Sequence, residues 1–270
     1  MKPIKPWLAC LLFPLLLLTH ALAGAQVVQT EHVRAELLVY APDGIGPGKP
    51  LWLGLQLQHQ PPWHSYWKNP GDAGTPTSLA WVLPAGWSAG QIQWPVPSRI
   101  PVGRLASIGY GGELLLPVPV KVGSALKAGA EIRLNADWLV CSESCVPESG
   151  EFRLKLSAGP QRQHAQRFKA ALARVPKPVE ARQSRAWAQA GSLLLQASGL
   201  PQREFSDAFL EEEGVVRPAA RPRLSWHGDT LQVSMELERP QTARPRQMRL
   251  VLADAQGGLV LGFTLQGDWP

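Results

Sequence analysis

The spacing of glycine and proline constrains this chain more than any other feature. It carries 25 Gly and 26 Pro in 270 residues, a load that helical bundles and coiled coils cannot absorb, because each interior Pro removes a hydrogen bond and each Gly costs backbone entropy. The breakers punctuate short apolar or alternating runs. Val33–Tyr40 and Leu51–His59 flank the turn-rich stretch Pro42–Pro50. Leu79–Leu83, Gln91–Trp94, Glu113–Val122, Ala130–Val140 and Gly150–Leu156 follow in the same style. Several short strands at close spacing, without helical periodicity, predict an all-β chain that begins with a β-sandwich. Pro117 and Pro119 should set their strand at an edge or a bulge. With 45% apolar residues there is enough material for a core, and the chain is not a low-complexity tract.

The first 25 residues fall outside the fold. Lys2 and Lys5 precede an apolar run from Trp7 to Leu18, and small residues follow at Ala21, Ala23 and Ala25. That is the pattern of a secretory signal peptide, and the run is too short, and too broken by Pro14, for a permanent span. Export discards Cys10 and leaves Cys141 and Cys145 in a compartment where disulfides persist. The expected mature protein is soluble and periplasmic. The formal charge of the whole chain is +6. Its excess is dispersed arginine after residue 160 rather than a block, which argues against a nucleic-acid partner.

Residues 26–160 form the first expected domain. In Gln161–Val175, Phe168, Ala171, Leu172 and Val175 repeat at the spacing of one helix face, and Pro176 and Pro178 end it. Residues 161–180 therefore read as a short helical linker. Ser192–Ala197, Phe205–Leu210, Thr230–Leu237, Gln247–Ala253 and Leu259–Leu265 predict a second small β-domain over 181–270. The arginine- and proline-rich stretch Val216–Arg223 suggests no chemistry and reads as a solvated connection.

Chemistry concentrates at Trp138-Leu-Val-Cys141-Ser-Glu-Ser-Cys145-Val-Pro147. Three residues between two cysteines permit a disulfide if the chain turns back sharply. So small a loop constrains the unfolded chain little, so a purely structural bond would be inefficient. A disulfide in an accessible turn is open to an attacking thiolate. Spacing alone leaves three readings: a redox-active pair, a structural bond, or a metal site. Zinc would need further ligands from the scattered His32, His59 and His64, whereas thiolates suit cuprous ion. No cofactor is called for.

The second dense segment runs from Pro62 to Pro76 and includes Trp63, His64, Tyr66, Trp67, Lys68, Asn69, Pro70, Gly71, Asp72 and Gly74. Asn-Pro-Gly-Asp is strong turn chemistry. The tryptophans crowded between Trp52 and Trp94 are expected to fill a sandwich core and brace its loops.

Tyr66-Trp-Lys-Asn-Pro-Gly-Asp-Ala-Gly74, Ile92-Gln-Trp-Pro95, Gly109-Tyr-Gly-Gly-Glu-Leu-Leu-Leu-Pro-Val118 and Cys141…Cys145-Val-Pro147 occur in one order. Together they resemble the N-terminal periplasmic domain of the thiol:disulfide interchange protein DsbD, and above all its copper-sensitivity-suppressor (Scs-type) relatives. The resemblance implies an immunoglobulin-like sandwich with a redox-active cysteine pair. Cys145 would form the mixed disulfide with a partner and Cys141 would resolve it. Ser107–Gly112 would be a cap loop, with Tyr110 shielding the pair between Gly109 and Gly111. His64, Tyr66, Trp67, Asn69 and Asp72 would support it. The implied partners are periplasmic thioredoxin-fold proteins. Relatives continue into membrane and thioredoxin domains, so the expected electron donor is a separate membrane protein. A copper-binding, copper-tolerance role for the same thiols is the alternative, as is a binding domain with an inert disulfide. The best-known relative has a wider gap between its cysteines, so the local geometry is expected to differ.

Overall fold

The computed structural model describes residues 27–124 and 129–269. The segment read as a signal peptide, Cys10 included, lies outside the described residues. Alternation along Glu131–Cys141 sets the architecture of the first half. Ile132, Leu134, Ala136, Trp138 and Val140 are buried, while Arg133, Asn135 and Asp137 are exposed. A strand with that period must press one face onto another sheet.

The opposing sheet contains, in order across it, Val27–Gln29, Val33–Tyr40, Trp52–His59, Glu113–Lys121 and Ser88–Ala89. Val33, Ala35, Leu37 and Val39 face the shared core with Leu53, Leu55 and Leu57. The other sheet runs Cys145–Lys155, Glu131–Cys141, His64–Gly71, Leu105–Gly111, Ser98–Val102, with Ser78–Val82 also paired to Glu131–Cys141. The second half is a further pair of four-stranded sheets. One is built from Lys177–Pro178, Leu259–Thr264, Gln247–Ala253 and Asp207–Leu210, the other from Gln183–Gln189, Ser192–Ser198, Thr230–Glu236 and Arg223–His227.

Several expectations need correction. Gln91–Trp94 is not a strand. Its neighbour Glu113–Lys121 presents Pro117 and Pro119 on that side, and neither can donate. Their carbonyls accept from Gln93 N and Gly90 N at 2.8 Å each, and the ladder stops at the two residues Ser88–Ala89. The prolines thus lie in the strand next to a nearly absent edge. The loop expected from Asn-Pro-Gly-Asp begins later than its turn chemistry suggested, because His64–Gly71 is a strand. The helix spans only Ala165–Ala173. It packs on the sandwich, where Phe168 and Ala171 meet Leu38 and Leu115 on the outer side of the first sheet. Gly54 lies beneath it, and a Cβ there would come within 3.1 Å of the Phe168 ring.

The two halves share buried material. Phe209, Val251, Ala253 and Val260 of the second half belong to the same apolar core as Trp67. The Arg99 guanidinium binds Asp207 at 2.9 and 3.1 Å.

Candidate functional site

Glu131–Cys141 and Cys145–Lys155 form a hairpin whose last paired residues are Cys141 and Cys145 themselves. Only Ser142, Glu143 and Ser144 separate them, and Ser142 N bonds to Ser144 O at 3.0 Å. This register brings the two Cα atoms to 4.1 Å, and the sulfurs are joined in a disulfide. The pleat then decides where the bond points. Val140 faces the sandwich core, so Cys141 and its register partner lie on the outer face of the sheet. The two cysteines are unequal: Cys141 is 3% exposed, whereas Cys145 is exposed.

The strand His64–Gly71 supplies the wall beside the bond. His64 pairs with Cys141 on one side and with Gly111 on the other. His64 and Tyr66 project to one face, their rings edge-on at 5.4 Å. The Tyr66 hydroxyl lies 3.8 Å from Cys145 Sγ. A disulfide sulfur has no proton, so the phenol donates. Burial pushes the Tyr66 phenol up, partly offset by a hydrogen bond from Ser107, so Tyr66 stays neutral and remains a donor. The loop after this strand lies on the ring, since a Cβ at Gly74 would fall 2.3 Å from it. His64 is buried with Nε2 lacking a partner among the described residues. Burial lowers its pKa and keeps it neutral.

Sequence and structure comparisons converge on this region. Residues 35–157 match the family model of the thiol:disulfide interchange protein DsbD, N-terminal domain. The first half of the chain is thus similar to the DsbD N-terminal domain. The crystal structure of the N-terminal periplasmic domain of ScsB from Proteus mirabilis superposes with a TM-score of 0.68. It is 19% identical, over 91% of this chain and 99% of that one, so the fold extends beyond the family match into the second half. No curated protein matches the chain in sequence.

Within the segment that matches the DsbD N-terminal model, the predicted site residues separate. Tyr66 meets the disulfide, and His64 lies opposite Cys141 in register. Trp67 points the other way, into the core against Phe209 at 6.2 Å. Asn69 reaches the second half, donating to Leu210 O at 2.9 Å and Glu212 O at 3.0 Å. Asp72 accepts from Ala106 N at 2.7 Å. The expected cap loop is regular strand, Leu105–Gly111. Tyr110 pairs with Ser65 rather than with a cysteine-facing residue. It is buried, stacks on Trp94 and donates its hydroxyl to Pro95 O at 2.7 Å. The aromatic beside the sulfur is Tyr66, one position from Ser65 on the neighbouring strand. Gly109 serves close approach, since a Cβ there would lie 2.0 Å from Ser65 O. Gly111 lies opposite His64 with space around it.

One neighbour of the pair escaped the sequence reading. Glu148, three residues past Cys145, accepts from Thr30 Oγ1 at 2.5 Å, His32 Nδ1 at 2.9 Å and Trp138 Nε1 at 3.1 Å. Burial raises its pKa, but these bonds prevail and hold it below the usual carboxylate value. His59 is likewise committed. Its Nδ1 donates to Gly112 O at 2.8 Å, which leaves Nε2 to accept from Ser65 Oγ at 2.9 Å. Among the described residues no group of three or more His, Cys, Asp and Glu side chains could hold a metal ion. No helix among them is long and apolar enough to cross a membrane.

Proposed function

We propose that this chain is a periplasmic thiol–disulfide exchange module that passes electrons to thioredoxin-fold partners through Cys141 and Cys145. The observation that carries the reading is the asymmetry of the pair: an exposed Cys145 with a phenol donor at its sulfur, joined to a buried Cys141. In the reduced state the Cys145 thiolate attacks one sulfur of a partner disulfide and expels the other as a thiolate. Cys141, deprotonated in turn, attacks Cys145 Sγ. That step restores the bond within this chain and releases the partner as a dithiol. Two electrons and two protons move to the partner. A separate membrane dithiol donor would reset the pair by the reverse chemistry.

Tyr66 touches the reacting sulfur in this scheme, and its neutral O–H can stabilise the thiolate that forms there on reduction. Glu143 in the intervening loop adds negative charge, which opposes thiolate formation. The pair should therefore react slowly with small thiols and depend on a docked partner. The test is equilibration of the full chain in glutathione redox buffers, with the two states separated by thiol alkylation. A midpoint above about −300 mV supports exchange. A midpoint below that range marks an inert structural bond and contradicts it.

A further inference from the structure

The stretch Val216–Arg223, expected to be a solvated connection, is ordered against the first half of the molecule. Val216 bridges to Leu237, Arg217 N bonds to Glu236 O at 2.9 Å, and Ala220 N closes a turn on Arg217 O at 3.1 Å. Across from it stands the hairpin of Ser98–Val102 and Leu105–Gly111. Between them lies an open cleft of about 330 Å³, lined by Arg99, Arg104, Arg217 and Arg221 together with Leu105, Ala106 and Ala219 among others, and by no acidic residue.

The four guanidiniums are not equivalent. Arg99 is 7% exposed and forms the floor. It is neutralised by Asp207, also donates to Ala208 O and Pro218 O, and lies 5.1 Å over the Phe209 ring. Arg217 pairs with Glu236 at 3.0 Å. Arg104 and Arg221 make no ion pair or hydrogen bond among the described residues. They come from opposite walls, one from the hairpin tip and one from the loop. A rim with two uncompensated planar cations is suited to carboxylates, which guanidinium binds in a fork. The rim is also apolar: Leu105, which lines the cleft, is 51% exposed, and its strand partner Val102 beside it is 38% exposed. Charge with adjoining apolar surface fits a polypeptide better than a small hydrated ion.

We propose that this cleft binds an acidic segment of a partner protein, with carboxylates on Arg104 and Arg221 and an apolar side chain against Leu105. The inference stands apart from the redox reading and uses none of its residues.

The test is fluorescence anisotropy of the full chain with a labelled Glu-Glu-Leu-Glu-Glu peptide, with Lys-Lys-Leu-Lys-Lys as control. Saturable binding of the acidic peptide alone is expected. The variant Arg104→Glu/Arg221→Glu should weaken it by about tenfold or more, and Arg104→Gln/Arg221→Gln by less. Arg182→Glu/Arg246→Glu, equal in charge change but distant in sequence from both walls, should leave it intact, with thermal melts confirming that each variant folds. Equal weakening by the two charge reversals would reduce the effect to net charge and overturn the site. So would the absence of saturable binding. Displacement by inorganic phosphate at the same concentration as peptide would overturn the peptide assignment in favour of a small anion.

Discussion

Tyr66 and His64 face the same disulfide with opposite consequences. Tyr66 offers a proton to Cys145 Sγ from 3.8 Å, and a neutral donor of this kind contributes about 1 kcal/mol. Tyr66→Phe should therefore raise the Cys145 thiol pKa and slow exchange by about three- to tenfold, as read by the pH dependence of iodoacetamide alkylation of the reduced chain. An unchanged alkylation profile would remove Tyr66 from the scheme. His64 instead has a buried nitrogen without a partner among the described residues, and both it and His59 have pKa values lowered chiefly by burial. The unfolded chain takes up these protons first as pH falls below about 6.5. Stability is thus complete above that value and is lost as pH drops toward the folded pKa values. His64→Leu should flatten the decline in urea midpoint between about pH 7 and 5 and leave stability at pH 7.5 no lower. A steeper decline would contradict the assignment of a neutral imidazole.

At the scale of elements, close approach between neighbouring strands fixes the site. Gly109 admits the Ser65 carbonyl where a Cβ would meet it at 2.0 Å. Gly109→Ala should force the strands Leu105–Gly111 and His64–Gly71 apart and destabilise by about 1–3 kcal/mol, measured by denaturant unfolding. It should also shift the Tyr66 contact. Strands were legible wherever alternation was regular, as in Val33–Tyr40 and Glu131–Cys141. They were missed where glycine and proline suggested turns. In His64–Gly71 and Leu105–Gly111, Gly71 and Gly109 serve close strand approach, and only Gly71 takes positive φ. The three-residue gap permitted a disulfide in a sharp turn, and the hairpin register makes it. Which aromatic faces it was not, because one position of register moves a side chain to the opposite face. Tyr110 and Tyr66 differ in that way.

At the scale of the whole molecule, the second half is tied into the strand that carries Tyr66. Lys68 bonds to Glu211 at 2.6 Å and Asn69 to Leu210 and Glu212, while Arg99 meets Asp207 in a nearly buried pair. Removing one partner of such a pair leaves an uncompensated charge. Asp207→Ala should cost about 3–5 kcal/mol, visible as a lower thermal midpoint. A change under 1 kcal/mol would place that pair among surface contacts. The fold likeness to the ScsB domain covers both halves, whereas the DsbD N-terminal match stops at residue 157. The proposed exchange chemistry lies in the first half, and the contacts from Lys68, Asn69 and Arg99 tie the second half to it.

Mixed-disulfide trapping with an oxidised thioredoxin-fold protein tests that chemistry most directly. Reduced Cys141→Ser, which retains the exposed Cys145, should accumulate a covalent complex on a non-reducing gel, and reduced Cys145→Ser should not. Equal trapping by both variants, or none by either, would contradict Cys145 as the attacking sulfur and, with it, the exchange function.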